Sequence, residues 1–240
     1  MIMLWPINGI AEDKSVHLAT LNWAPYIGED LESFGFGAEI LRVAFQRAGY
    51  ETTFSFMPWV RALKDVEIGK YDAVCFAYHS SERSAKYIFT VPYAQSVLGF
   101  FTLRESDIKF QTFRDLAPFR IGVVRGFVNT PEFDALDFLK KEEAKNELLN
   151  LKKLIHRRVD LVISDKFIMR HLIKRHLPDK REAIIFLEPP LIKQPLYLMF
   201  SRELEGSASK VLDFNRAIEN MQKDGSIKSI IKRFGYAHED

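Results

Sequence analysis

The feature that most constrains this chain is the repeated switching of its hydrophobic period between two and 3.6 residues. Residues 16–21 read as a strand, and residues 38–48 as a helix that puts Ile40, Leu41, Ala44, Phe45 and Ala48 on one face before Gly49 closes it. Residues 51–57 alternate Phe54 and Phe56 with polar positions as a strand, residues 59–68 read as a helix ended by Gly69, and residues 72–76 as a short buried strand. This order of strands and helices calls for crossovers, and so for a parallel sheet. A second series repeats it, with strands at 120–124 and 160–164 and helices at 130–139, 147–156 and 165–176. Apolar extended stretches at 97–103 and 196–201 join the two series, and helices at 208–221 and 226–234 pack back on the first. The expected fold class is α/β with two lobes: residues 15–97 with 202–240 as the first, residues 98–201 as the second, and hinge strands at 97–103 and 196–201.

Composition narrows the function classes. The 240 residues include 20 Phe and are 47% hydrophobic, enough for a substantial core. Lys and Arg number 34 against 32 Asp and Glu, a balance that gives no reason to expect nucleic acid as partner. The most basic stretch, residues 140–181, carries its charges at helical spacing; only Phe167 interrupts them, so it reads as a solvated helix face rather than a base-stacking surface. Cys75, the single cysteine, sits between Val74 and Phe76 as a buried strand residue and excludes an intrachain disulfide. His171 and His176 lack the helical spacing that aligns two metal ligands, and there is no Gly-x-Ser-x-Gly nucleophile motif. No metal or cofactor is expected. At the amino terminus an apolar run ends in Gly9-Ile10-Ala11 before Glu12-Asp13, without a positively charged start. Residues 1–14 read as the remnant of a signal peptide, which predicts an exported, soluble protein.

Several segments together resemble the bacterial extracellular solute-binding proteins that serve polar amino acid ABC transporters. They are Pro25-Tyr26, Gly35-Phe36 before an amphipathic helix, Gly69-Lys70-Tyr71-Asp72-Ala73, and Ser81-Glu82-Arg83 followed by Phe89-Thr90-Val91-Pro92-Tyr93. The second series adds Ile121-Gly122-Val123-Val124-Arg125-Gly126, Arg158-Val159-Asp160 before Ser164-Asp165, and Lys223-Asp224-Gly225 through Phe234-Gly235. The resemblance implies a periplasmic-binding-protein-like (type II) fold with its cleft at a two-strand hinge. It also implies a periplasmic, monomeric protein that performs no chemistry. Such a protein captures a small amino-acid-like or related carboxylate solute and delivers it to an ABC transporter permease.

Site residues follow from the same resemblance. Arg83 matches the arginine that holds a ligand carboxylate, a role suited to a planar guanidinium fork; pairing with Glu82 is the structural alternative. Asp165 matches the aspartate that takes a ligand ammonium and is also placed to cap a helix. Trp23 and Trp59 correspond to aromatic positions that sandwich the ligand, with core packing the rival reading for Trp59. Tyr26 and Tyr78 are expected beside the same cleft. Arg125 stands where a lysine-bearing turn is common and either replaces that lysine or faces solvent, while Gly126 fits a tight anion-holding turn. Phe76-Ala77-Tyr78-His79-Ser80 departs from the usual Gly-x-Thr run by placing bulky groups where small residues approach the ligand. The alternatives on the same scaffold are a cyclohexadienyl-dehydratase-like enzyme and a ligand-sensing domain.

Overall fold

β1 (Ser15–Thr20), β2 (Glu51–Phe56) and β3 (Ala73–Ala77) lie parallel with β1 between the other two. α1 (Phe36–Arg47) and α2 (Trp59–Glu67) make the crossovers. The computed structural model describes residues 14–125, 127 and 129–236; the expected signal-peptide remnant falls almost wholly outside them, as does Gly126. All of β3 is buried, Cys75 included, as its unbroken apolar sequence requires of a strand covered on both faces. The second lobe repeats the arrangement with β6 (Arg120–Val124), β7 (Lys140–Ala144) and β8 (Leu161–Asp165), all parallel, covered by α5 (Glu147–Ile155) and α6 (Lys166–His176).

Two long strands join the lobes. β5 (Ala94–Leu103) and β10 (Ile192–Ser201) pair antiparallel from Ala94↔Leu196 to Leu98↔Ile192. Beyond that ladder they part. β5 continues against β8 and β9 (Ile184–Phe186), while β10 continues through an irregularity at Tyr197–Met199 to pair β3 and β4 (Tyr87–Phe89). The mutual ladder thus lies at 94–98 and 192–196, ahead of the apolar runs that marked the hinge in the sequence, and residues 197–201 pair with first-lobe strands. Polar Lys193 and Gln194 and the adjoining Pro195 hid the start of β10 from a hydrophobicity reading.

Residues 130–139 form only a short helix, α4 (Pro131–Asp134), ahead of β7. β7, Lys-Lys-Glu-Glu-Ala, has no alternation to reveal it; its charge suits a sheet edge, where charged side chains discourage pairing with another chain. α3 (Ser81–Lys86) is a further short helix that the periodicity did not mark. At the carboxyl end α7 (Ser207–Lys223) and α8 (Ser226–Arg233) return to α1 of the first lobe. Phe214 packs on Phe45 with ring centroids 4.9 Å apart, and Arg47–Asp224 and Arg233–Glu39 ion pairs, each 2.6 Å, fix the outside of that contact.

Candidate functional site

A cleft of about 770 Å³ opens beside the β5–β10 ladder, at the carboxyl ends of β6 and β8, where parallel α/β sheets bind ligands. One wall comes from the loop after β1, with Asn22 and Trp23, and from Tyr78 after β3. Ser96 and Gln194 from the crossover strands form its base, and the opposite wall is the end of β8 with one face of α6.

Trp23 is held by a tight loop in which its N–H donates to the Ile27 carbonyl (2.7 Å) and Ile27 N–H donates back (3.1 Å). Its ring stacks on Tyr26 at 4.6 Å and 17°. Tyr26 itself is fully buried and is not a cleft residue. Its hydroxyl donates across the lobe boundary to Asp165 Oδ2 at 2.9 Å, and burial followed by the Asp165 charge pushes the phenol well above its ordinary pKa.

Asp165 gathers five donors. Oδ2 accepts from Tyr26 Oη, Ser96 Oγ (2.8 Å) and Val97 N–H (3.0 Å), while Oδ1 accepts from Phe167 N–H (2.8 Å) and Ile168 N–H (3.0 Å) as the cap of α6. Burial raises its pKa, and the donors from Ile168, Ser96, Tyr26 and Val97 oppose that rise. The carboxylate ties the first-lobe loop, the crossover strand and the second-lobe helix together at one point. It lines the cleft with its hydrogen-bonding capacity already used by the protein.

Arg83 is placed elsewhere. Its N–H is capped by Ser80 Oγ (3.2 Å), its Nη1 donates to the Tyr78 carbonyl (2.8 Å), and its guanidinium lies 5.6 Å from the centre of the Trp59 ring. Neither Arg83 nor Trp59 lines the cleft, and Trp59 packs against the Ala62–Val66 side of the first lobe. Tyr78 does line it, half-exposed, with a hydroxyl pKa raised by burial. Arg125 is exposed, pairs with Glu143 at 2.7 Å and stays outside the cleft lining.

The bulky replacement expected at Phe76 has a backbone consequence. Phe76 has φ of 57°, a left-handed conformation rare for an aromatic residue, which is tolerated only where surroundings enforce it. Its N–H donates to Tyr93 Oη (2.9 Å), and its ring contacts Trp23, Tyr26 and Tyr93. Gly37 makes the room, since a Cβ there would fall 2.4 Å from Phe76 Cζ.

Sequence reasoning missed Ser96, Ser164, Gln194, His171 and Arg175 as cleft residues. In sequence Arg175 reads as part of a solvated helix face, and Ser164 stands out only as a neighbour of Asp165. His171, whose sequence position raises only the question of a metal ligand, contacts Tyr236 Oη through Nδ1 at 2.9 Å. Burial and the neighbouring Arg175, His176 and Lys174 charges hold its pKa below the usual histidine value.

Residues 18–237 match the family described as bacterial extracellular solute-binding proteins, family 3. The chain belongs to that family. A relative from Haemophilus influenzae, described as a probable amino-acid ABC transporter-binding protein, is 24% identical over 220 residues, covering 89% of this chain and 82% of its own. Among solved structures, the L-cystine solute receptor of Neisseria gonorrhoeae in its unliganded open conformation superposes with a TM-score of 0.78 at 19% identity, covering 94% of each chain. An ancestral cationic amino acid solute-binding protein superposes with a TM-score of 0.74 at 20% identity, covering 92% of this chain and 95% of that one. The family's two-lobed type II fold is thus the fold of this chain, and the structural likeness at these identities speaks to fold alone. Among the described residues no helix is long and apolar enough to cross a membrane.

Proposed function

We propose that this family member captures a small amino-acid-like or related carboxylate solute in the cleft and delivers it, in the periplasm, to the permease of an ABC transporter. The observation that carries the reading is the position of the cleft, walled by first-lobe Trp23 and Tyr78 and by the second-lobe end of β8, in a chain whose family binds solutes. The description of the Haemophilus influenzae relative supports amino-acid-type cargo and an ABC transporter. Closure of the lobes about the β5–β10 ladder would bring the walls together on the solute and couple occupancy to recognition by the permease. An Arg83–Asp165 grip on the two ends of an amino acid requires exchange of existing bonds: Arg83 must leave the Tyr78 carbonyl, and a ligand ammonium must displace a donor from Asp165.

A thermal-shift screen of refolded, ligand-stripped protein against amino acids, polyamines, small carboxylates and prephenate tests the reading. A ligand at 100 times its Kd adds about 2.7 kcal/mol to stability. Stabilisation by an amino acid that Arg83→Ala abolishes supports the grip. Turnover of prephenate or arogenate, or silence across every amino acid and carboxylate, overturns the capture reading.

A further inference from the structure

Two groups expected to hold a solute are engaged inside the protein: Asp165 accepts five hydrogen bonds, and Arg83 is turned onto the Tyr78 carbonyl and the Trp59 ring. What the cleft leaves unused lies elsewhere along it. Ser164, 5% exposed and lining the second-lobe wall next to Asp165, has a hydroxyl with no hydrogen-bond partner among the described residues. A buried polar group in that condition favours any ligand atom that completes its bond.

The second unused group is Arg175. It lines the cleft from the last turn of α6, and among the described residues none forms an ion pair or hydrogen bond with its guanidinium. Asp165 caps the start of α6, so Arg175 stands ten residues on, roughly 15 Å along the helix at 1.5 Å per residue. The attraction of a helix carboxyl end for cations accounts for a basic last turn as a whole. It does not account for the separation of roles within that turn. Lys174 is turned to the Tyr236 ring at 5.9 Å, whereas Arg175 faces the cleft. Around it stand His171, held toward its neutral form by burial and the adjacent cations, and His176; the cleft's further acid, Glu147, belongs to the first turn of α5.

Resting on the capture reading, we infer that the cleft takes an elongated solute, with a polar head group completing the Ser164 hydroxyl beside Trp23 and a terminal carboxylate received by Arg175. A guanidinium fork makes two parallel charge-assisted bonds to a carboxylate, which a neutral amide cannot match. About 15 Å of helix axis, less the several ångströms by which a helical arginine side chain leans back toward the amino end, is more than a free α-amino acid spans and suits a solute of dipeptide length.

Isothermal titration of the ligand-stripped full chain with γ-glutamylglycine, its C-terminal amide, glutamate, glutamine and glycine tests this. The dipeptide acid is expected to bind at least about tenfold more tightly than its amide, and Arg175→Gln to erase that preference while leaving the amide affinity within about twofold. Ser164→Ala is expected to weaken acid and amide alike. Equal binding of acid and amide, or a preference that survives Arg175→Gln, overturns the inference. Binding of the free amino acids without binding of the dipeptide overturns it while leaving capture standing; silence from the whole panel removes it together with the amino-acid form of the capture reading.

Discussion

Replacing Tyr26 by Phe removes the hydroxyl that joins the lobes at Asp165. The ring contacts with Trp23 (4.6 Å), Phe36 (5.1 Å) and Phe167 (5.6 Å) survive the change, and what is lost is the hydroxyl, 2.9 Å from Asp165 Oδ2 and 3.2 Å from the Gln95 carbonyl. Tyr26 is completely buried, so water does not replace it without rearrangement. A hydrogen bond to a charged group contributes about 1.5–3 kcal/mol, and a loss of about 2 kcal/mol lowers Tm by roughly 4–8 °C in a chain of this size. The pH dependence sharpens the test. Burial raises the Asp165 pKa, so the folded protein holds that proton more tightly than the unfolded chain does. The associated stability is fully present below the ordinary aspartate value of about 3.9 and is lost as pH rises through the folded value. Tyr26 opposes the rise by stabilising the ionised form, so its removal costs more while Asp165 is ionised than once it is protonated. Calorimetric scans of both proteins from pH 7 to pH 4 should show the deficit shrinking toward about 1 kcal/mol, the value of a neutral hydrogen bond. A deficit that is absent at pH 7, or that grows on acidification, refutes the account of Asp165 as an ionised tie between the lobes.

Gly37→Ala would place a Cβ 2.4 Å from Phe76 Cζ and 2.7 Å from the Tyr26 carbonyl oxygen, and overpacking of this kind is expected to cost about 1–3 kcal/mol in chemical denaturation. Asp160→Asn weakens a contact in which Arg120 Nε and Nη2 reach the carboxylate at 3.1 and 3.0 Å. With Asp160 31% exposed, the expected loss at pH 7 is only about 1 kcal/mol. The Arg120 hydrogen bond holds the Asp160 pKa below the ordinary value, so this stability is present above that value and is lost as pH falls through the folded one. The Tm gap between wild type and Asp160→Asn should therefore close on acidification. Cys75 is fully buried with its thiol pKa raised by that burial, so a thiol reagent should label it only at the rate of unfolding; prompt labelling of native protein would contradict its place in β3.

The amino-acid sequence by itself determined the succession of elements and the lobed architecture, because periodicity is a local property. β6 coincides with its predicted span, α1 and α6 begin and end within two residues of theirs, and Gly49 has the positive φ that suits it to ending a helix. The family was legible too, since its motifs lie in short contiguous stretches in a fixed order. Elements made by long-range pairing were not: β7 exists because Lys140–Ala144 can lie along β6, and the first half of β10 because it pairs Ala94–Leu98. The site divided in the same way. Trp23, Tyr78 and Asp165 were named from local motifs and all line the cleft, but a motif does not say which way a side chain turns. Only the tertiary structure decided that Tyr26 is buried under Trp23, that Asp165 accepts donors from three separate segments, and that Arg83 turns to Tyr78 while Arg175 faces the cleft. The Asp165 bonds reach residues as far as 139 positions away and form only where the two lobes meet, whereas the stacking of Trp23 on Tyr26 and the turn of Arg83 onto Tyr78 are choices between near neighbours that packing within the first lobe settles.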